Sequence, residues 1–332
     1  MAKLHFLNVG EGDCSIIQHN DGTVTMIDIC CANLPTGGIE KSFSTESFNG
    51  VKGNFNQKAC PTNPLDYLKT LGVNSIFRYI QTHPDMDHMD GLEDIANNFE
   101  ILNFWDTANK KIQSFDENGK CGKYKKSDWD KYQELRKSVT SPKALIYYDG
   151  DVNKYYAEDD SGRKTDDYLQ ILAPTKELIR QANDEGNWND GSYVILYQIY
   201  GRKILFMGDA GMRTINHLLE QHKKDISNLD VLIAPHHGRD SGKDFSFLDN
   251  MNPKITLFGN AKSKDLAYDA WNSRDLIHIT NNQAGNMLLD ISSTRISLAV
   301  SNQTFANKIM QMVCKQDAPK YPLMDYWFAI GF

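Results

Sequence analysis

Apolar and polar positions along the chain predict short strands that end in polar turns, with amphipathic helices between them. Two apolar runs, 4–9 and 23–29, flank the polar turn Gly10-Glu11-Gly12-Asp13, and Ser15-Ile16-Ile17 starts the return. The segment Thr23-Val24-Thr25-Met26-Ile27-Asp28 alternates and ends on an acid. Residues 33–63 are rich in Gly, Asn, Ser and Thr and predict a long surface excursion. Helical spacing runs from Pro64 to Leu71 with Gly72 as its stop, and residues 76–81 then form a short strand. That strand delivers Thr82-His83-Pro84-Asp85-Met86-Asp87-His88 at its C-terminal end.

The second half repeats the theme. A strand is predicted over 168–173, and 192–200 with 203–207 reads as a hairpin turning at Gly201-Arg202. The hairpin leads into Gly208-Asp209-Ala210-Gly211, followed by a helix from about 214 to 222. The apolar run 231–234 is a buried strand ending in Pro235-His236-His237-Gly238. Further strands near 255–258, 277–280, 286–291 and 295–300 complete an α/β pattern, which fits sheets sandwiched between helices. Residues 1–332 are read as one domain, interrupted at about 104–166 by an insertion. The insertion is rich in lysine (Lys110, Lys111, Lys120, Lys123, Lys125, Lys126), has an amphipathic helix at about 127–138, and carries a solvated loop at 158–162. The aromatic, Met-containing stretch 305–332 suits either packing or an interface.

Composition narrows the class. The chain has 332 residues, 40% hydrophobic and 24% charged, as an ordinary globular protein does. No apolar run is long enough to span a bilayer, and the first residues lack the pattern of a signal peptide, so a cytoplasmic protein with no membrane partner is expected. The formal net charge of −7 argues against non-specific wrapping of nucleic acid over the whole surface. It leaves room for nucleic acid at one site, because carboxylates that hold divalent ions count as negative only while the ions are left out. The six cysteines show no CxxC spacing, and the adjacent Cys30 and Cys31 suit neither a disulfide nor a zinc ribbon; buried thiols in a reducing compartment are expected.

His83, Asp85, Asp87 and His88 fall within six positions at a strand end. Imidazoles and carboxylates together suit zinc, manganese or iron. Asp87 has a competing role as the cap of a helix over 88–97. Asp209 ends a strand and precedes a helix, so it also reads as a cap until His236-His237 on the next strand end is considered. Neighbouring histidines on an extended segment point to opposite sides, so one of the pair is expected at the metal and the other at the substrate. Trp105, Trp129 and Trp188 read as core or wall residues; His5, His19, His217, His222 and His278 read as structural.

The order Asp28, His83-x-Asp85-x-Asp87-His88, Asp209, His236-His237 resembles the metallo-β-lactamase superfamily. Within it, Leu7-Asn8-Val9-Gly10-Glu11-Gly12-Asp13-Cys14, Thr82 to Gly91 and Ala234-Pro235-His236-His237-Gly238 are similar to the soluble domain of ComEC-type competence proteins and their stand-alone relatives. The resemblance covers about residues 3–300, the insertion excepted. It implies an αββα sandwich and two divalent metal ions, Zn or Mn. One ion would sit on His83, Asp85 and a bridging Asp209, the other on Asp87, His88, Asp209 and His236. It further implies that Asp28 supports the metal turn and orients a histidine, that Asp87 orients a metal-activated water, and that His237 stabilises the leaving oxygen.

Two departures stand out. Asp85 occupies a position where the superfamily usually has histidine, and no histidine lies between His88 and Asp209, where Asn189, Asp190 and Ser192 are the nearest polar residues. Oxygen ligands move the first position towards manganese or magnesium. Asn189, Ser192, His237, Lys110 and Lys111 are the candidate substrate contacts, the lysines by tracking a phosphate backbone. Neither a nucleophilic serine elbow nor a phosphate-cradling glycine loop is present. The expected activity is hydrolysis of a phosphodiester, with a nucleotide or nucleic acid as substrate. A small-molecule ester hydrolase and a catalytically weak binding or regulatory module are the alternatives.

Overall fold

The structure is a computed structural model that describes residues 1–30, 47–48, 51–158, 161–322 and 324–332. Most of the predicted excursion at 33–63, together with Cys31, Asp159 and Asp160, lies outside the described residues. Two sheets carry the fold. The larger has ten strands in the spatial order Lys143–Leu145, Glu100–Trp105, Ser75–Ile80, Val24–Ile27, Ser15–Gln18, Ala2–Phe6, Met287–Ile291, Ile296–Val300, Tyr326–Gly331 and Lys320–Tyr321. The smaller has six, in the order Asp167–Ala173, Val194–Ile199, Arg202–Phe206, Val231–Ile233, Ile255–Phe258 and His278–Thr280.

Period-2 alternation sorts the side chains of these strands into three cores. Leu4, Phe6, Ile17, Ile27 and Ile80 of the larger sheet meet Ile195, Ile204, Phe206, Val231 and Ile255 of the smaller in a shared core. The opposite face of the larger sheet packs Ile16, Met26 and Tyr79 against Leu68, Leu92, Ile95 and Tyr132 from helices. The opposite face of the smaller sheet packs Leu196, Leu205 and Leu232 against Ile215, Leu218, Leu248 and Trp271. The result is an αββα sandwich, the layering that the sequence resemblance implied.

Each sheet contains a run of parallel strands: Val24–Ile27, Ser75–Ile80 and Glu100–Trp105 in one, Arg202–Phe206, Val231–Ile233 and Ile255–Phe258 in the other. Loops at the C-terminal ends of parallel strands are where α/β folds collect polar side chains. Here those ends carry Asp28, His83 to His88, Asp209 and His236-His237.

The structure adds to two of these expectations and corrects a third. Parts of the 104–166 region pack with the core. Its Lys143–Leu145 strand extends the larger sheet in parallel with Glu100–Trp105, and Trp129, Tyr132 and Leu135 of its Lys126–Leu135 helix pack into the outer core. The C-terminal stretch is packing: Phe305, Ala306, Ile309 and Met310 of the Gln303–Cys314 helix enter the shared core, and Tyr326–Gly331 is a sheet strand. The cysteines divide, since Cys14 and Cys30 are buried, Cys121 is half-buried, and Cys60 and Cys314 are exposed, with no disulfide among the described residues. An exposed thiol cannot owe its place to core packing. No described helix is long and apolar enough to cross a membrane.

His5 tests the packing of this sandwich. Its ring is fully buried and bonded to Tyr67 (2.8 Å) and Gln18 (3.0 Å). Burial pushes its pKa down to about 4, so the folded chain resists a proton that the unfolded chain accepts below about 6.5. Stability from this group is therefore full above pH 6.5 and lost as pH falls towards 4. Between about pH 7.5 and 5, the unfolding free energy should drop by on the order of 2 kcal/mol more in the wild type than in His5→Gln. Urea midpoints at the two pH values read this directly, and equal drops would sink the assignment.

Candidate metal centre

The Val24–Ile27 strand ends at Asp28, whose backbone is left-handed (φ 55°), a conformation aspartate tolerates better than most residues. The turn aims the buried Asp28 carboxylate at the neighbouring strand tip. Its Oδ1 accepts from the Thr82 amide (2.7 Å) and its Oδ2 from the Thr82 hydroxyl (2.6 Å). The same Oδ2 lies 2.8 Å from His88 Nδ1. Accepting the Nδ1 proton leaves the His88 Nε2 lone pair facing inward. Gln81, also fully buried, donates to the carbonyls of His83 (2.8 Å) and His88 (3.0 Å) and so closes the turn from inside.

Asp87 is not a helix cap. It sits within a single 3-10 turn, Met86–His88, and the next helix, Leu92–Asn98, starts after Gly91. A Cβ at Gly12 would lie 2.2 Å from the Asp87 carbonyl, so only glycine lets the 10–13 turn press against this loop.

From the other sheet, Asp209 follows the Arg202–Phe206 strand and is 2% exposed. Four imidazole nitrogens surround its carboxylate. His88 Nε2 (3.1 Å) and His237 Nε2 (3.7 Å) approach Oδ1, while His236 Nε2 (3.4 Å) and His83 Nε2 (3.8 Å) approach Oδ2. Backbone bonds between the tips hold this geometry: Tyr193 N–H to the Thr82 carbonyl and His236 N–H to the Gly208 carbonyl, both at 2.9 Å.

The His236-His237 pair departs from expectation. The segment is not extended: both residues are left-handed (φ 54° and 57°), and both rings turn towards Asp209. Their positions also differ from the expected ones. His237 is the buried member, with Nδ1 3.0 Å from Asp13 Oδ1 and Nε2 3.8 Å from Asp87 Oδ2, so it stands with Asp87 and His88 where His236 was expected. A ring enclosed this way does not suit contact with a leaving group. His236 is more exposed and shares Asp209 Oδ2 with His83.

The electrostatics of the site follow from burial against charge. Burial opposes ionisation of Asp87 and Asp209, but His237 and His88 at the first, and His88, His237 and His83 at the second, hold both carboxyls well below their usual range. Burial likewise opposes charging of His237, yet Asp13 and Asp209 push it up to about 10. His88 is raised by Asp209 and Asp28 against the same penalty, whereas burial lowers His83 and takes His236 down to about 4. The carboxylates thus create a field that draws positive charge into a buried space.

The donor set fits a metal. His83 Nε2, His88 Nε2, His237 Nε2 and Asp209 Oδ1 are buried and without a hydrogen-bond partner, a condition that native interiors rarely leave unanswered. Two groups of donors, His83/His88/Asp209 and Asp87/His88/His237, each lie within 4.8 Å of one another.

The remaining candidates fall around this centre unevenly. Asp85 Oδ2 is 3.7 Å from His83, but Lys111 Nζ holds its Oδ1 at 2.5 Å, so Lys111 does reach the site. Lys110 is exposed, and its backbone bonds Asn183. Lys126 pairs with Asp130 on its own helix, and Lys123 approaches Glu11 at 3.9 Å. Ser192 is fully buried, its hydroxyl without a hydrogen-bond partner, beside Thr82 and the Gly208 turn; Asn189 is half-buried in the preceding 3-10 turn. Three residues were missed from sequence: Asp13, Gln81 and Lys243. Asp13 ends the acidic turn after an apolar strand, a visible signal. Lys243 is half-buried within electrostatic reach of Asp209 and Asp190, and it carries no motif.

No protein family and no curated protein matches the sequence. Solved structures do resemble the fold at low identity. Tm1679, a metal-dependent hydrolase of the β-lactamase superfamily, is 10% identical over 88% of this chain and 100% of its own, with a TM-score of 0.47. CmlA, a diiron β-hydroxylase from Streptomyces venezuelae, is 12% identical over 87% of this chain, with a TM-score of 0.44. The chain spans 54% of the length of CmlA. A diphosphatase from the PhnP family is 11% identical over 80% of this chain and 88% of its own, with a TM-score of 0.38.

Proposed function

We propose that this chain is a metal-dependent hydrolase that cleaves phosphodiesters in a nucleotide or nucleic acid, with a metal-activated water as nucleophile. The observation that carries the reading is the convergence of three buried imidazole nitrogens without a hydrogen-bond partner, His83 Nε2, His88 Nε2 and His237 Nε2, on the Asp209 carboxylate, between the tips of two parallel strand runs. His83 and His236 with Asp209 would hold one divalent ion, with Asp85 as its oxygen donor, and Asp87, His88 and His237 with Asp209 the other. Bound there, such ions lower the pKa of water towards neutrality and neutralise charge on phosphoryl oxygens.

The chain's own residues do the positioning. Asp28 stands at His88 Nδ1 and fixes the direction of that ring, and the Asp13 carboxylate lies 3.0 Å from His237 Nδ1. Asp87 is more open than Asp209 (28% against 3% for the side chains), so its carboxylate can orient an incoming water by accepting a hydrogen bond. Lys111 and Lys243 supply positive charge beside the centre, which suits an anionic diester better than a neutral ester. The likeness of the Leu7–Cys14 and Thr82–Gly91 segments to ComEC-type proteins agrees with a nucleic-acid substrate.

The test offers manganese- or zinc-loaded protein a bis-aryl phosphate, an aryl acetate, and single- and double-stranded DNA. Turnover of the diester and of at least one DNA is expected. Hydrolysis of the acetate alone would transfer the assignment to a small-molecule esterase, and no turnover with metal bound would leave a binding module.

A further inference from the structure

The Met212–Gln221 helix starts just after Asp209, and a second histidine–aspartate cluster lies at its other end, about 15 Å along the axis. His217 Nε2 is 3.0 Å from Asp149 Oδ2, and His222 Nε2 is 2.8 Å from Asp149 Oδ1. In a regular helix, positions five apart diverge by about 140° around the axis. His222 is the C-cap and has left helical geometry (φ −120°, ψ 18°), and its ring meets His217 edge-on with centroids 5.7 Å apart. Asp149 comes from a turn far away in sequence, fixed by its amide to the Pro174 carbonyl (2.9 Å) and by Tyr148 N–H to Asp151 (2.8 Å).

We propose that Asp149, His217 and His222 form a second binding site for a divalent transition-metal cation of the zinc class. It would tie the 148–151 turn to the C-terminal end of the helix. Two imidazole nitrogens and a carboxylate oxygen, all within 4.8 Å of one another, are the donor types zinc prefers. All three side chains are 14–18% exposed, so a hydrated ion can reach them and keep water at a fourth position. Zinc bonds of about 2.0–2.1 Å set tetrahedral donors about 3.3 Å apart, a spacing that small side-chain rotations can reach from donors already within 4.8 Å of one another. Asp225 Oδ2 lies 3.2 Å from His222 Nδ1 and fixes the tautomer that presents Nε2 to the ion. The partial negative charge of the helix C-terminus adds to the attraction. His217 and His222 thereby acquire a role beyond the structural one expected from sequence.

A proton shared between each ring and Asp149 is the competing occupant, and ion counting separates the two. Metal-free full-length protein is given zinc, desalted, and analysed by plasma mass spectrometry. The comparison is between wild type and the double variant His217→Asn/His222→Asn, both alone and in an Asp209→Ala background that removes the first centre. In each background the double variant should hold one zinc fewer per chain. Zinc should raise the melting temperature of Asp209→Ala and not of the triple variant. Should Asp209→Ala fail to fold, the wild-type comparison decides alone. Hydrolysis by the double variant stays at wild-type level. Equal zinc in folded wild type and double variant would overturn the site, whatever the first centre holds.

Discussion

Asp209→Ala is expected to leave the chain unable to retain metal at the principal centre and without hydrolytic activity. Its two oxygens face four imidazole nitrogens at 3.1–3.8 Å, a role no other side chain in the site duplicates. Without that carboxylate the inward-facing nitrogens have no shared anion, and cations are no longer attracted into a buried space. A Lewis-acid contribution of several kcal/mol corresponds to roughly 1,000-fold or more in rate. The fold should survive, because the strand below Asp209 is anchored by Leu205 and Phe206 in two separate cores. Metal content by mass spectrometry and diester turnover are the measurements. A variant that still binds and turns over like wild type would show that Asp209 does not join the two groups of donors.

Asp28→Asn is expected to weaken metal binding by roughly 10- to 100-fold while leaving the fold in place. The asparagine oxygen can still accept from Thr82, but its amide NH2 then confronts the Nδ1–H of His88, donor against donor. The ring must turn, or move its proton to Nε2, the nitrogen aimed at Asp209. Because Asp28 touches neither substrate nor ion, the loss should be largely recovered at high metal concentration. A uniform fall in activity that metal does not relieve would assign Asp28 to direct contact with substrate instead.

Much of the candidate site was legible because its chemistry is concentrated at the ends of short, strongly patterned elements. His83, Asp85, Asp87 and His88 follow one apolar strand, and Asp209 and His236 follow two others. The choice between His236 and His237 was not legible. It turns on two consecutive left-handed residues, which no alternation of polarity reveals and which set His237 beside Asp87. Asp13 could have been suspected from its turn, but its contact with His237 depends on Gly259, where a Cβ would come within 2.4 Å of the Asp13 carboxylate. The lysine-rich region was legible as an amphipathic helix, but not in what that helix packs against. Most of its lysines are on the surface as expected, yet the Trp129/Tyr132/Leu135 face of its helix had a core to join, and composition counts charges without saying what lies beneath them.

By itself, the sequence determined the period-2 strands, the polar tips and the types of donor available, since these depend on neighbours a few positions away. The tertiary structure decided which tips meet. Parallel strand order within each sheet, and packing of the two sheets through one shared core, bring residues more than a hundred positions apart within 4 Å. Such contacts are set by long-range burial of apolar surface, and that burial aims two neighbouring histidines at one carboxylate.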